Sequence, residues 1–411
     1  MQPGTRARSG ISHFEADYDR LASDCTGAHG STPERGRLFR RTNPLSGSWL
    51  PPDRSRTLGA EQIMTARILI VGGYGHVGRL VAEKLIATGR LKIRLAGRDA
   101  EKARMLAAKL GCEARRVDLH EPDTWEAALD GVTIVLVCID QPDGKFAAHV
   151  LQRGCTYLDI TASDGFFRKV EKLDGEARSS SSRALLSVGL APGLTNLLVK
   201  ACAEHLDHPV GARIGIMLGL GDAHGPAAVD WTLEQFRSDR LEGGVETMAF
   251  GRPSRLHPAM PVGFADQYVV RRTLGLEETK SVLTFDSPAM SRLAFMLLRI
   301  AANNRWLEKI VRKTMPYMPI GSDRVVLAVE VYGTRDGRPE TWCALLEGRK
   351  EAGITALVAA LAVFHLLDNK IEPGVHHIEE VLSIDAVMPE LQKNGVQIYL
   401  PECTVPGHGL Y

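Results

Sequence analysis

Hydrophobic and polar positions recur along the chain with the two periods that distinguish strands from helices. Ile68–Val71 is a short, wholly apolar run, which is typical of a strand buried on both faces of a parallel sheet. The segment after it has a helical period, and its apolar residues share one face: Val77, Leu80, Val81 and Leu85. A glycine-rich stretch separates the two, so the pattern predicts a strand, a turn and a helix.

The alternation of strand and helix continues well beyond this first unit. The predicted strands are Lys92–Ala96, Glu113–Val117, Val132–Val137 and Thr156–Ile160. The predicted helices are Ala100–Leu110, Trp125–Leu129 and Phe146–Gln152. Such a βαβ series predicts an α/β fold with a doubly wound parallel sheet, the Rossmann architecture, because consecutive parallel strands need helical crossovers.

The turn after the first strand has the spacing G-x-G-x-x-G. Gly73 would permit the tight turn, Gly75 would let a pyrophosphate approach the backbone, and Gly78 would let the helix pack closely on the strand. The pyrophosphate would then lie at the positive end of the helix. The alternative is a Rossmann-like domain that has lost its nucleotide. The predicted dinucleotide-binding residues here are Gly73, Tyr74, Gly75, His76, Val77 and Gly78.

The end of the second strand discriminates between NAD and NADP. NAD sites place an acidic residue here for the ribose 2′-hydroxyl, whereas NADP sites offer an arginine for the 2′-phosphate. Gly97 and Arg98 occupy the tip of the strand, and a guanidinium is always charged. Asp99 could instead be the acidic residue that binds the ribose 2′-hydroxyl, but its simplest role is the N-cap of the next helix. The sequence therefore favours NADP over NAD.

Later strand ends supply further candidate contacts to the cofactor. Asp118 ends the third strand, where an adenine edge would bind, although a loop cap would use the same carboxylate. Val137, Cys138 and Ile139 end the fourth strand, at the crevice beyond the carboxyl edge of the sheet. We expect Cys138 to be a small residue facing the cofactor, because a reactive thiol needs a positive neighbourhood.

Three residues are candidates for catalysis. Asp159 and Thr161 end the fifth strand, where the carboxylate could orient a substrate or cap the helix that follows. His224 precedes a helix in the second half of the chain and could donate a proton, with Asp222 holding its ring. Chance placement of a turn aspartate and a helix-flanking histidine is the alternative reading.

Several motifs occur in a characteristic order. The glycine turn is followed by VDLHEPDTWEAALDGVTIVLVCID, then GCTYLDITASDG, then GLAPGLTNLL, over about residues 65–205. This order resembles the saccharopine dehydrogenase/reductase-like family, with a weaker echo at GITALVAALAVFHLL and PGVHHIEEV. The resemblance implies a Rossmann domain, an inserted α+β substrate domain and a C-terminal segment that returns to the Rossmann half. It also implies reduction of an imine formed from an amino acid and a carbonyl compound, or the reverse reaction.

The resemblance, joined to the composition, predicts four segments. Residues 1–63 hold nine arginines and no lysine without apolar periodicity, so we expect a disordered extension. Residues 64–192 form the Rossmann domain, 193–349 the substrate domain and 350–411 the returning segment. In the substrate domain, ARIGIMLGL, SVLTF, RVVLAVEVYG and TWCALLEG predict an antiparallel sheet.

Candidate substrate contacts flank the proposed domain crossing. Pro192 and Gly193 would bring the chain across the crevice into a helix. Thr195 and Asn196 start that helix and could donate to a substrate carboxylate, or be helix-start polar residues without a ligand. Arg324 opens a long strand and could clamp a carboxylate bidentately, or be a structural arginine. Ala191 stands where family reductases often have an acidic residue, which leaves the substrate open.

Composition narrows the possible partners and the possible cellular location of the protein. The 411 residues carry a formal net charge of +1, which gives no electrostatic argument for nucleic acid or an anionic membrane. Seven scattered cysteines without a C-x-x-C pair fit reduced thiols in a cytoplasmic protein, and the histidine pairs lack further ligands, so we assign no metal. The apolar run Ala352–Leu367 is short for a membrane span and predicts a buried helix.

The leading functional hypothesis is an NADPH-dependent oxidoreductase similar to saccharopine reductase, acting on a small-molecule, amino-acid-like substrate. One alternative is a trans-acting reductase of enoyl or lipid-linked substrates. A second alternative is a non-catalytic regulator that binds NADP. A homodimer through the second-domain sheet is the assembly that we consider.

Overall fold

The computed structural model describes residues 66–219, 221, 226–237, 244–314 and 321–404. The predicted N-terminal extension and the pair Asp222 and His224 lie outside the described residues.

The first half of the chain alternates strands and helices. Its strands are β1 (Arg67–Val71), β2 (Lys92–Gly97), β3 (Glu113–Arg116), β4 (Ile134–Val137), β5 (Thr156–Asp159) and β6 (Arg183–Leu186). Its helices are α1 (His76–Ala87), α2 (Ala100–Leu110), α3 (Glu126–Leu129), α4 (Lys145–Gln152), α5 (Asp164–Glu171) and α6 (Asp174–Ser179). The strand residues from Ile68 to Val71 are fully buried, as expected of a strand covered by helices on both faces.

A second set of elements follows a kinked segment at Leu190–Leu194. Its helices are α7 (Thr195–Ala203), α8 (Pro226–Gln235), α9 (Ala265–Thr273), α10 (Pro288–Ala302) and α11 (Arg305–Thr314). Its strands are β7 (His208–Leu218), β8 (Glu246–Phe250), β9 (Arg255–Val262), β10 (Glu278–Phe285), β11 (Arg324–Arg335) and β12 (Arg338–Arg349).

The last part of the chain contributes to both halves. It contains α12 (Glu351–Asp368), β13 (Gly374–His377), α13 (Ile378–Val381), α14 (Ile384–Lys393) and β14 (Gln397–Thr404). Helix α12 packs against α1 and against the kinked segment, and β13 extends the first sheet beside β6. Strand β14 instead pairs with β12 in the second sheet. The prediction that the C-terminal segment returns to the Rossmann half therefore applies to α12 and β13 but not to β14.

The first sheet has seven strands in the order β13-β6-β5-β4-β1-β2-β3, and every neighbouring pair is parallel. The chain runs outward from β1 in one direction to β3 and in the other direction to β13. Neighbours β1 and β4 flank the point where the order reverses, and open α/β sheets bind ligands in the crevice at such a point. The prediction of a doubly wound parallel sheet with a second domain is confirmed.

The second sheet also has seven strands, in the order β14-β12-β11-β7-β10-β9-β8. The sequence predicts an antiparallel sheet, but the sheet is mixed because β7 and β10 pair in parallel. The chain between these two strands passes through α8, the β8–β9 pair and α9. A connection of this length lets the chain return to the starting end of the sheet, which a parallel pair requires.

Helix α12 is the one helix among the described residues whose length and apolar composition would allow a membrane crossing. Buried residues make up 61% of it, including Ile354, Leu357 and Phe364. Its small apolar side chains allow a close approach to α1. The position of α12 is therefore that of an internal helix of the fold.

Candidate functional site

The glycine turn follows β1 directly and is built on close contacts between backbone atoms. A Cβ added at Gly73 would lie 2.9 Å from the carbonyl oxygen of Ile70. A Cβ at Gly78 would clash with the carbonyl oxygen of Gly72, where α1 leaves the turn. The first and third glycines of the motif are therefore required for strand, turn and helix to pack together.

Gly75 differs from these two glycines because the space beside it is open. Its φ of −72° is accessible to any residue, so conformation alone does not require glycine here. An added Cβ would meet one neighbour within 4 Å, the carbonyl oxygen of Gly72 at 3.1 Å. The absent side chain leaves room for a ligand to approach the backbone.

The N-terminus of α1 is prepared for an anion. Gly75 is the N-cap and provides no side-chain hydrogen bond, and the first turn contains no acidic residue. The first backbone N–H groups of a helix have no partner within the helix, and the helix dipole adds positive potential there. The turn and the helix start together fit the pyrophosphate of a dinucleotide, as the spacing of the glycines predicts.

The tip of β2 lies against the same turn. Tyr74 packs over Gly97, where an added Cβ would clash with the tyrosine ring, and its hydroxyl oxygen accepts a hydrogen bond from the backbone N–H of Asp99 at 3.2 Å. The carboxylate of Asp99 accepts from the backbone N–H groups of Glu101 and Lys102, each at 3.1 Å. These backbone hydrogen bonds, above all that of Lys102, lower the pKa of Asp99. Asp99 is therefore occupied as the N-cap of α2.

Arg98 stands at the same tip with its side chain exposed. No ion pair of its guanidinium occurs within the described part of the chain. The neighbouring Arg116 is occupied, because its guanidinium pairs with Glu121 at 2.7 Å and with Asp118 at 3.6 Å. Of these two arginines, Arg98 is the one without a carboxylate partner among the described residues, so it is available to a phosphate at the end of β2.

The contacts of Asp118 differ from those expected of a residue that binds an adenine edge. Its carboxylate accepts from the backbone N–H of His120 at 3.0 Å, and its carbonyl oxygen accepts from the indole N–H of Trp125 at 2.8 Å. With the ion pair to Arg116, these bonds stabilise the loop after β3. The loop-cap alternative accounts for all of these contacts.

The end of β4 lies beside the glycine turn. Cys138 donates its backbone N–H to the carbonyl oxygen of Val71 at 2.9 Å, and the side chain of Ile139 lies against Gly72 and is 39% exposed. Burial, with a smaller contribution from Asp159, raises the pKa of the Cys138 thiol far above its ordinary value. A raised pKa disfavours the thiolate, as expected of an unreactive thiol, and the contact of Cys138 with a cofactor stays a prediction.

Asp159 is fully buried at the end of β5, in register with Val137 of β4. One carboxylate oxygen accepts from the hydroxyl of Tyr157 at 2.5 Å and from the amide of Gln141 at 2.6 Å. The other accepts from the backbone N–H of Thr161 at 2.5 Å. Burial raises the pKa of Asp159 to about 6 in spite of these donors.

One polar atom next to this carboxylate has no partner. The side-chain carbonyl oxygen of Gln141 is buried without a hydrogen bond, whereas the hydroxyl of Thr161 is close enough to Asp159 to lower the pKa of its carboxyl group. Buried polar atoms in folded proteins nearly always have a partner, so an unpartnered oxygen at the carboxyl edge of the sheet is available to a ligand. Sequence reasoning did not single out Gln141, which looks like an ordinary loop residue in CIDQPDG.

The residues at the start of α7 face the protein interior. Asn196 is fully buried, accepts from the backbone N–H of Gly193 at 3.3 Å and donates to a carboxylate oxygen of Glu379 at 2.9 Å. Thr195 is also fully buried, and its hydroxyl donates to Asn196 at 3.3 Å. The geometry fits polar residues that stabilise the helix start and not the predicted donors to a substrate carboxylate. Pro192 and Gly193 lie in the kinked segment that leads to this helix.

Arg324 already has a carboxylate partner. Its guanidinium donates to Glu347 on the neighbouring strand β12 at 2.8 Å. This pair joins two strands of the second sheet, so the structural alternative fits better than a substrate clamp. His224 lies outside the described residues, and its assignment stays a prediction.

A set of charged residues that the sequence did not reveal joins the two domains. Arg272 of α9 pairs with Asp164 at 2.7 Å and with Glu171 at 2.6 Å, both in α5. The hydroxyl of the next residue, Thr273, donates to the buried Glu379 at 2.6 Å. Helix α9 is thus tied both to the first sheet's helices and to the C-terminal segment.

Comparison with known proteins agrees with this geometry. Residues 72–163 match the model of an NAD(P)H-binding family. Saccharopine dehydrogenase (L-Glu forming) from Saccharomyces cerevisiae aligns with 83% of this chain and 100% of its own, at 15% identity and a TM-score of 0.57. This chain has the saccharopine dehydrogenase fold. The fold that the sequence resemblance implies is therefore confirmed, together with a nicotinamide-dinucleotide domain.

Two further similarities are weaker. DAP dehydrogenase from C. glutamicum aligns with 80% of this chain and 98% of its own, at 18% identity and a TM-score of 0.43. The prestalk A differentiation protein A of Dictyostelium discoideum is 37% identical over 71 residues, which are 17% of this chain. The match spans about a quarter of that relative's length.

No group of three or more His, Cys, Asp or Glu side chains with the geometry of a metal site occurs within the ranges that the structure describes. The glycine turn and the strand order place the candidate site in the crevice between the glycine turn, the tip of β2 and the ends of β4 and β5.

Proposed function

We propose that this protein is an NADP(H)-dependent oxidoreductase that acts on the C=N or CH–NH bond of an amino-acid-like substrate. The observation that carries the proposal is the open space at Gly75, in front of a helix N-terminus without a side-chain cap, together with the exposed Arg98 at the tip of β2. The pyrophosphate and the 2′-phosphate of NADP match these two features.

The residues for cofactor binding divide into two groups. The backbone between Gly73 and Gly78 would hold the pyrophosphate through N–H groups, without a charged side chain. Arg98 would pair with the 2′-phosphate, since Asp99 is already occupied as a helix cap. This division favours NADP over NAD. When bound, the cofactor supplies or accepts a hydride.

Thr161 and Gln141 are the groups that we assign to the reacting end of the site. Gln141 has an unpartnered buried oxygen at the carboxyl edge of the sheet, and the hydroxyl of Thr161 lies next to Asp159; both could hold a polar atom of the nicotinamide amide or of the substrate. Asp159 is fully buried and holds Thr161 and Gln141 in place by hydrogen bonds, so we assign it a positioning role. With a pKa of about 6, Asp159 can also hold a proton together with Tyr157 near neutral pH.

The reaction class rests on the shared fold and on the sequence resemblance. Saccharopine dehydrogenase is L-Glu forming by its name, which makes an imine of an amino acid the first substrate class to test. Fold alone does not define a reaction, so this step is an analogy that the residues of the site support. Ala191 departs from the acidic residue that family reductases often have, so the amino acid need not be the same one.

Oxidation of NADPH in the presence of paired amino acids and keto acids tests the proposal. We expect turnover with at least one pair, a preference for NADPH over NADH, and loss of turnover in Gly75→Val. Tight NADPH binding without turnover on any pair would favour the non-catalytic regulator. Turnover with enoyl thioesters instead would favour the alternative reductase.

A further inference from the structure

Helix α10 presents an apolar face to solvent. Leu293, Met296, Leu297 and Ile300 follow each other at spacings of three, one and three residues, which places them on one side of the helix. Between 45% and 53% of each of these side chains is exposed. The opposite side of α10 is buried and includes Phe295 and Leu298, so the helix is anchored in the fold while its outer face stays apolar.

Helix α11, which contacts α10, carries further exposed apolar side chains. Trp306 is 69% exposed and Ile310, one helical turn later, is 39% exposed. None of the side chains of α11 is buried. We call the six side chains on the two helices the α10–α11 stripe: Leu293, Met296, Leu297, Ile300, Trp306 and Ile310. Scattered exposed apolar residues are normal on a protein surface, but six of them on two helices in contact mark an interaction site.

The polar positions around the stripe are strongly basic. The six basic residues of α10 and α11 are all exposed: Arg292, Arg299, Arg305, Lys309, Arg312 and Lys313. The two helices contain one acidic residue, Glu308, which pairs with Arg312 at 2.7 Å, and Asp230 of α8 pairs with the same arginine. The whole chain has a formal net charge of +1, so positive charge is concentrated on this surface. The overall charge, which gave no reason to expect an anionic partner, conceals this local excess.

We propose that the α10–α11 stripe docks onto an anionic lipid bilayer surface. A helix with Trp and Leu on one face and Lys and Arg around it is the pattern of interfacial membrane binding, in which apolar side chains enter the headgroup boundary. Tryptophan prefers that boundary, and each nearby basic residue is attracted by anionic headgroups.

Charge argues against two other occupants. A second copy that docked through the same stripe would bring two basic rims together, and like charges across an interface oppose association. Residues 1–63 contain nine arginines, no lysine and seven acidic residues, so this segment carries the same sign as the stripe. A bilayer with anionic lipids supplies the opposite charge and an apolar interior in one partner.

The proposed contact is peripheral and independent of the cofactor site. Helix α12, the one candidate span among the described residues, is an internal helix and is not part of the stripe. The α10–α11 stripe lies in the second domain, on elements that contribute nothing to the glycine turn. Membrane docking would therefore leave the crevice of the first sheet free.

Co-sedimentation of the full chain with vesicles tests the proposal. The vesicles contain phosphatidylcholine alone or phosphatidylcholine with phosphatidylglycerol. We expect binding to the anionic vesicles, weaker binding to the neutral ones, and release by about 1 M salt, where the Debye length is about 3 Å. The double variant Met296→Ser, Trp306→Ser should have an affinity for anionic vesicles that is lower by roughly tenfold or more, because it lacks two apolar side chains of the stripe.

The control is Leu256→Ser in β9, which removes an exposed apolar side chain of 67% exposure outside the stripe. It should bind vesicles like the wild type, and circular dichroism should show that all variants fold. Absence of binding to anionic vesicles by the folded wild type would overturn the proposal. The proposal would also be overturned if the wild type formed a dimer, the double variant were monomeric and both bound vesicles equally. That result would identify a second copy of the chain as the occupant of the stripe.

Discussion

The hydroxyl oxygen of Ser187 lies 2.7 Å from Nδ1 of His377, although 190 residues separate them in the chain. Nε2 of the same histidine lies 3.0 Å from a carboxylate oxygen of Glu171, which also accepts from Arg272 at 2.6 Å. Ser187 directly follows strand β6, and His377 is the last residue of the neighbouring strand β13. Both residues are buried. A continuous chain of hydrogen bonds thus leads from the edge of the first sheet to helix α9 of the second domain.

The first prediction concerns the carboxylate at the centre of that chain. Burial alone would raise the pKa of Glu171, but the hydrogen bonds from His377 and Arg272 outweigh it and lower the pKa to about 2. A carboxylate with a lowered pKa stabilises the folded state above its ordinary pKa, and this stability is lost as the pH falls through the folded value. The folded state should therefore lose up to about 3 kcal/mol between about pH 4.5 and about pH 2.

Denaturation by urea over this pH range measures the effect. Glu171→Gln should be less stable than the wild type at neutral pH and should show a flatter pH dependence below pH 4.5. Glu121→Gln is the control, since Glu121 forms an exposed ion pair with Arg116, and such pairs contribute little. Equal pH profiles for the wild type and Glu171→Gln would show that the carboxylate does not stabilise the fold.

Asp159 is predicted to have the opposite pH dependence. Burial raises its pKa to about 6, so the folded state favours the neutral form and stability is lost as the pH rises through that value. The fold should gain up to about 3 kcal/mol as the pH falls from about 6 to about 4. In Asp159→Asn this gain should be absent, whereas Asp123→Asn, at an exposed position, should keep it. A gain of the same size in Asp159→Asn would assign the effect to another group.

Gly75→Val should abolish binding of NADPH while the protein still folds. The new Cβ would meet one backbone atom of the protein, but the branched side chain would occupy the space in which the pyrophosphate lies. Gly175→Val is a matched control, because Gly175 lies in exposed helix α6 with no atom within 4 Å of an added Cβ. Fluorescence titration with NADPH measures both variants. Unchanged affinity in Gly75→Val would place the cofactor elsewhere.

Arg98→Ala should weaken NADPH binding roughly tenfold or more and spare NADH, because it removes a charge-assisted contact to the 2′-phosphate alone. Arg104→Ala is the control, since Arg104 is exposed on α2 and pairs with Glu101 at 2.7 Å. Titration with each nucleotide gives the ratio of the two affinities. If the wild type binds NADH better than NADPH, Asp99 and not Arg98 is the residue that recognises the ribose.

The sequence predicts the first half of the fold well because the determinants there are local. Helix α2 begins and ends as predicted, since Asp99 accepts two backbone N–H groups at its start and Gly111 adopts a left-handed φ of +68° at its end. The glycine turn is likewise defined by contacts between residues that are near one another in the chain. In both cases the residue type by itself specifies the conformation.

The features that the sequence does not predict depend on contacts between distant residues. The short strand β6 follows a run of serines and carries no strong strand pattern. The parallel pairing of β7 with β10 depends on the path of about sixty residues between them. Asn196 looks like a donor to a ligand until Glu379 is placed beside it, and only the fold brings these two residues together.

The last prediction concerns the two places where the chain crosses between the domains. The first crossing is at Gly193, which has a φ of +139° and donates its N–H to Asn196. The second is at Lys350, a non-glycine residue with a φ of +61° that donates its N–H to the carbonyl oxygen of Asp323 at 2.8 Å. The conformation of Lys350 is strained and is maintained only by the surrounding structure, and Gly193 adopts a φ that other residues rarely adopt. We therefore expect both sites to respond to a change in domain orientation.

Closure of the two domains on a bound cofactor would restrict both crossings at once. Hydrogen exchange at the amides of Gly193, Leu194 and Lys350 should therefore slow when saturating NADPH is added. Amides in the exposed helix α6 provide the internal control and should exchange at an unchanged rate. Protection confined to the glycine turn would show that the cofactor binds without moving the second domain, and the two crossings would then not act as a hinge.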